Sequence, residues 1–139
     1  MASIRREIVI DADPDAVWAL VGDPGVIHRW FPGIVACTVA DTDDGVVRTV
    51  TLGSGIPLEE HVVTNDPITR RFQDRIAGGV FREHLGTVDV IDLGSGRSLA
   101  VYGTDALPDV MALVIGGATG VALENIKALA EGRPVGGNV

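Results

Sequence analysis

The sequence predicts an α+β fold, in which a curved antiparallel sheet of about seven strands holds a long C-terminal helix and two short helices follow the first strand. Three observations carry this reading. Between Ile34 and Ala106, short apolar segments are separated by Asp43-Asp44-Gly45, Gly53-Ser54-Gly55, Asn65-Asp66-Pro67, Gly78-Gly79 and Gly94-Ser95-Gly96, the punctuation of successive antiparallel strands. After Pro108 the period changes, and Met111, Ile115, Ala118, Ala122, Ile126 and Leu129 recur at helical spacing until Gly132. A length of 139 residues with 46% apolar composition suits one domain around one core.

The elements follow in order. Ser3 to Asp11 alternates, with Ile4, Ile8 and Ile10 as its apolar members, and is predicted to be the first strand. Asp13 is placed as N-cap with Pro14 at the first helical position, and Val17, Trp18, Leu20 and Val21 supply an apolar face. The same arrangement recurs at Asp23-Pro24 and starts a second short helix, which runs through His28, Arg29 and Trp30 to the Phe31-Pro32-Gly33 break. Six strands follow, and the helix is predicted over Asp109 to Glu131. Residues 1–132 form the domain, and residues 133–139, rich in Gly and Pro, read as a flexible tail.

Composition weighs against several function classes. A formal charge of −8 repels phosphate backbones and anionic lipid surfaces, so neither a nucleic-acid nor a membrane partner is expected. The single cysteine, Cys37, cannot form an intrachain disulfide or a thiolate metal cluster and reads as a small buried group. The first apolar run, Ile8-Val9-Ile10, is too short for a signal peptide, and the uncharged run Val110 to Leu123 is too short to cross a bilayer. A cytoplasmic protein, monomer or homodimer, is expected. Only 4% of residues are aromatic while 18 are glycine, which leaves a core either packed by aliphatics or partly open.

Catalytic motifs are sparse. There is no phosphate-binding glycine loop, because Gly116, Gly117 and Gly120 fall inside the last helix, where they would let it approach the sheet. No serine sits in a nucleophile elbow, and Cys37 has no neighbouring base. His28, His61 and His84 lack metal-ligand spacing, so no metal or other cofactor is expected.

The order of elements resembles the helix-grip fold of the START or birch-pollen-allergen-like superfamily. Two stretches sharpen the likeness: Val17-Trp18-Ala19-Leu20-Val21-Gly22-Asp23 followed by Trp30-Phe31-Pro32-Gly33-Ile34, and Ala122 to Gly132. Both are similar to bacterial SRPBCC proteins of the polyketide cyclase/dehydratase kind. The resemblance implies an apolar cavity between helix and sheet that takes a hydrophobic small molecule, with any chemistry supplied by polar side chains projecting into it. Ser54-Gly55-Ile56-Pro57 is also similar to the gate loop of the plant abscisic-acid receptors, which implies a lid; Val80-Phe81-Arg82-Glu83 keeps only the arginine of the partner latch.

Strand parity then selects the residues that face inward. With Leu58 and Val62 inward, Glu60 and Thr64 follow and His61 points out; the resemblance also implies a carboxylate at Glu60. Phe72 shares its face with Ile76 and Asp74, and Val88 and Val90 share theirs with His84 and Arg82. On the last strand Tyr102 and Asp105 have opposite parity, so one of the two reaches the interior. Met111, Ile115 and Ala118, with Ala122, would floor the cavity from the helix. Trp30 and Phe31 are placed either at its mouth or in the core.

Glu60, Asp74, Arg82 and His84 together would be costly to bury unless paired, and pairing of Arg82 or His84 with either carboxylate is the expected remedy. Such a cluster can neutralise itself at the rim, do acid–base work or recognise a polar ligand group. For catalysis His84 is the candidate base, with Glu60 or Asp74 orienting it or acting as acid. The leading expectation is a protein that binds a hydrophobic or polyketide-like molecule and catalyses its cyclisation or dehydration. A non-catalytic carrier or sensor is the alternative, and a protein-interaction module a third with no charge run to recommend it.

Overall fold

The computed structural model describes residues 1–136. Strand β1 (Ala2–Ile10) leads to helix α1 (Pro14–Val21), a short 3-10 helix (Pro24–Arg29), strands β2 (Ile34–Thr42), β3 (Gly45–Leu52), β4 (Pro57–Asp66), β5 (Arg71–Ala77), β6 (Glu83–Gly94) and β7 (Arg97–Leu107), and helix α2 (Asp109–Ala130). The sheet is antiparallel in the order β1-β7-β6-β5-β4-β3-β2, so a meander is completed by β1 pairing with the last strand. This is the predicted helix-grip arrangement: α2 packs chiefly on β1 and β7, and the 3-10 helix leans on β2.

Local chemistry sets the element boundaries. Asp13 stands at the N-cap of α1, yet its side chain makes no capping bond; its carbonyl accepts from Ala16 and Val17 instead. Asp23 does cap the 3-10 helix, its carboxylate accepting from the Gly25 N–H at 2.9 Å. Helix α1 stops at Gly22, where a Cβ would stand 2.5 Å from the Trp18 indole. Gly116 has a similar role in α2, because a Cβ there would lie 2.6 Å from Ile4, and its absence lets the helix settle onto β1.

The solid core lies beneath the C-terminal half of α2, where Ala122, Leu123 and Ile126 meet Ile10, Val17, Val21 and Trp30. Trp30 is core rather than mouth: its indole N–H donates to the Leu20 carbonyl, and its own carbonyl accepts from Asn125 Nδ2 at 2.9 Å. Cys37 is half-buried, with Sγ 3.5 Å from the Pro24 carbonyl. As a whole α2 is longer than its uncharged run and has the length and apolarity to cross a membrane, but here it is the helix gripped by the sheet.

Two expectations of facing are corrected. Val63 is an extra residue in β4, since Val62 pairs with Asp74 and Thr64 with Gln73, and this bulge turns Thr64 to the outer face, where its hydroxyl donates to Gln73. Arg82 does not face inward either. It precedes β6, its backbone N–H donates to the Leu107 carbonyl, and its side chain is exposed; alternation cannot be extended past the end of a strand. Of the expected tail, Arg133 is tied to α2 through Ala128 and Glu131, and residues 137–139 lie outside the described residues.

Candidate functional site

Between the N-terminal half of α2 and the inner face of β3–β7 lies a cavity of about 480 Å³. Its walls are mainly apolar: Val50, Leu52, Leu58 and Ile76 from the sheet, Ile27, Phe31 and Ile34 from the segment after α1, and Met111 and Ile115 from α2. Ile56, Gly79, Val80 and Phe81, from the β3–β4 and β5–β6 connections, complete the lining. Ala118 and Ala122 are not in it. At Gly116 the helix sits directly on Ile4 of β1, and Ala122 belongs to the solid core. Val62, Phe72 and Val88 likewise pack in or against that core, outside the lining.

The polar wall is built by strand alternation on β4 to β7, which brings Glu60, Asp74, His84, Tyr102 and Thr104 to the cavity. Asp105 takes the outer face of β7, where Ser3 donates to its carboxylate. Behind the wall stands a cation that facing arguments had left unassigned, Arg48, only 1% exposed. Its Nε donates to Glu60 Oε1 at 2.5 Å, its Nη2 is 3.8 Å from Asp74 Oδ2, and its guanidinium lies 5.1 Å from the Phe72 ring centre. Arg48 thus holds the place expected of Arg82 or His84 as partner to the carboxylates. The signal was in the sequence, since Arg48 shares parity with Val46, Val50 and Leu52 on one strand.

Two buried carboxylates face one guanidinium. Burial raises the Glu60 pKa, the charge of Asp74 adds to this, and Arg48 opposes both. Asp74 is also raised by burial against the pull of Arg48. The pair therefore holds a proton more tightly than either carboxylate would in water. Arg48 keeps its charge, its pKa raised by the two carboxylates despite burial. Asp74 has room because residue 86 is glycine, where a Cβ would stand 2.8 Å from Asp74 Oδ1.

His84 is held by its backbone neighbour. The Ile76 N–H donates to His84 Nδ1 at 3.0 Å, so the neutral ring carries its proton on Nε2. Burial lowers its pKa while the charge of Glu60 resists. The ring packs edge-on against Phe81 at 5.1 Å between centres. Glu60 and His84 are not on neighbouring strands, because β5 lies between β4 and β6. Tyr102 is pushed well above its ordinary pKa by burial and by Asp74, so its hydroxyl stays protonated. No His, Cys, Asp and Glu grouping among the described residues could hold a metal ion.

Comparison with known proteins agrees with this architecture. The family described as polyketide cyclase / dehydrase and lipid transport matches residues 1–131. No curated protein matches the chain. Among solved structures, XoxI from Bacillus cereus superimposes with a TM-score of 0.82 at 21% identity, covering 94% of this chain and 96% of that one. The di-domain ARO/CYC protein BexL gives 0.80 at 18% identity, over 94% of this chain and 47% of BexL. Norcoclaurine synthase from Thalictrum flavum gives 0.74 at 18% identity, over 94% and 86% respectively. These likenesses show a shared fold, and the match across nearly the whole sequence shows that the chain belongs to the polyketide cyclase / dehydrase and lipid transport family.

Proposed function

We propose that the cavity binds a hydrophobic, polyketide-like ketone and promotes its cyclisation or dehydration. The observation that carries this reading is the Glu60–Asp74 pair, two buried carboxylates bridged by Arg48 at the polar wall of an otherwise apolar cavity. With one proton on the pair, the ionised member takes a proton from the carbon beside the carbonyl. The protonated member gives its proton to the departing hydroxyl, or to the carbonyl oxygen attacked in ring closure. In either reaction the pair ends with one proton, as it began, and dehydration releases water. The role foreseen for His84 changes accordingly: with Nδ1 occupied by Ile76 it donates from Nε2 to the oxygen on which negative charge develops. The charge of −8 and the lone Cys37 support a cytoplasmic protein with a small-molecule partner.

The test is a naphthyl-substituted β-hydroxyketone, whose conversion to the conjugated enone is followed by absorbance. Wild type should turn it over; Asp74→Asn and Glu60→Gln should lose the reaction by about a hundredfold or more while still binding the neutral fluorophore N-phenylnaphthylamine. Binding without turnover in the wild type would assign carriage rather than catalysis.

A further inference from the structure

The chemistry of the polar wall narrows the ligand further, taking the cavity as a ligand site. Thr104 is 1% exposed and its Oγ1 has no hydrogen-bond partner among the described residues, although buried polar groups are nearly always satisfied. It lies on β7 two positions from Tyr102, and in register it opposes Gly86, which has no side chain of its own to bond it, the room over that glycine being taken by Asp74 Oδ1 and the edge of the His84 ring. Tyr102 makes no hydrogen bond to the protein among the described residues, and neither does His84 Nε2. Three donors therefore line one wall, none of them bonded to the protein among the described residues.

The same wall offers an anion no free cation among the described residues. Arg48 is the cation behind it, and its guanidinium is already committed to Glu60, Asp74 and the Pro24 carbonyl. Arg82 is exposed, and Arg75, also exposed, directs Nη1 to the His84 carbonyl. An entering carboxylate would lose its water and meet two acidic side chains with no free cation.

We infer that the buried end of the ligand is an uncharged oxygen acceptor, a ketone in the first instance, seated on Thr104, Tyr102 and His84, and that the cavity discriminates against ligands headed by a carboxylate. Fatty acids are thereby disfavoured, and the apolar remainder of the ligand lies against Leu52, Leu58, Met111 and Ile115.

Displacement of N-phenylnaphthylamine by three ligands of common ring and similar shape tests this at neutral pH: acetylnaphthalene, ethylnaphthalene and naphthoate. The ketone should bind at least about tenfold more tightly than naphthoate and about fivefold more tightly than the hydrocarbon. Thr104→Val, which keeps the side-chain shape, should erode the advantage of the ketone over the hydrocarbon without weakening the hydrocarbon. Tyr102→Phe provides a second variant, each being checked for folding by circular dichroism. Naphthoate binding as tightly as the ketone, or a ketone advantage that survives both variants, overturns the inference while leaving the cavity a ligand site. Failure of the fluorophore and all three competitors to bind overturns the ligand site and the inference together.

Discussion

The two halves of α2 rest on different interiors. Past Gly116 the helix lies on a filled core, with Ala122 and Ile126 fully buried and Asn125 bonded to the Trp30 carbonyl. Before Gly116 it roofs a cavity, with Met111 and Ile115 turned in and Leu113 left 64% exposed. One continuous helix therefore serves two purposes: its close-packed end stabilises the fold, and its loosely supported end leaves room for a ligand. The polar wall belongs to the second region, and its buried charges are tolerated there because three of them form one connected set.

That contrast can be broken most sharply at Arg48. Arg48→Met strands two carboxylates in a buried site and should cost about 3–5 kcal/mol by urea denaturation at neutral pH. Most of that loss should return when Glu60→Gln and Asp74→Asn are added. A triple variant as unstable as the single one would show that Arg48 acts through packing on Phe72 instead.

The next largest effect compares the two halves of the helix directly. Ile126→Ala removes a fully buried side chain from the filled core and should cost about 3 kcal/mol, whereas Ile115→Ala enlarges a space that already exists and should cost less than about 1 kcal/mol. Equal losses would mean that the cavity collapses when empty.

The two regions should also respond oppositely to acid. The Glu131 carboxyl is lowered from 4.5 to about 2 by its bonds to Lys127, the Asp11 N–H and Arg133. Its contribution is complete above pH 4.5 and lost as the pH falls towards 2. Glu60 and Asp74 are raised above 4.5 and 3.8, so their contribution is present below those values and lost as pH rises through the folded-state values. Stability measured across pH should lose its acid limb in Glu131→Gln and its higher-pH limb in the Glu60→Gln/Asp74→Asn variant. The reverse assignment would contradict the electrostatics of both sites.

The smallest expected effect is spectroscopic. Nitrogen NMR should show neutral His84 protonated on Nε2 and titrating below 6.5, and Glu60→Gln should move it lower still, since the charge of Glu60 favours the imidazolium. An Nδ1–H tautomer would contradict the bond from Ile76.

Much of this was legible in the sequence, for physical reasons. The period change at Pro108 and the turn glycines determine the elements, and parity brings Glu60, Asp74 and His84 to one face, while the choice between Tyr102 and Asp105 on β7 is made by the structure. Local irregularity defeated the rest. The Val63 bulge reverses Thr64, the late start of β6 leaves Arg82 outside, and the α2 lining of the cavity ends at Ile115, short of Ala118. Arg48 was half legible: its parity with Val46, Val50 and Leu52 marks the inner face, but its partners on β4 and β5 are known only once the strands are paired. The orphan hydroxyl of Thr104 is similarly invisible until its neighbours are known.

The central claim is that the space beneath the first half of α2 holds an apolar ligand. Fluorescence titration with N-phenylnaphthylamine tests it in the wild type and in a Leu58→Trp/Ile115→Trp variant that places two rings in that space and retains the wild-type circular dichroism spectrum. The account predicts saturable binding at one site in the wild type and a loss of about tenfold or more in the variant. Equal binding by the two folded proteins would contradict it.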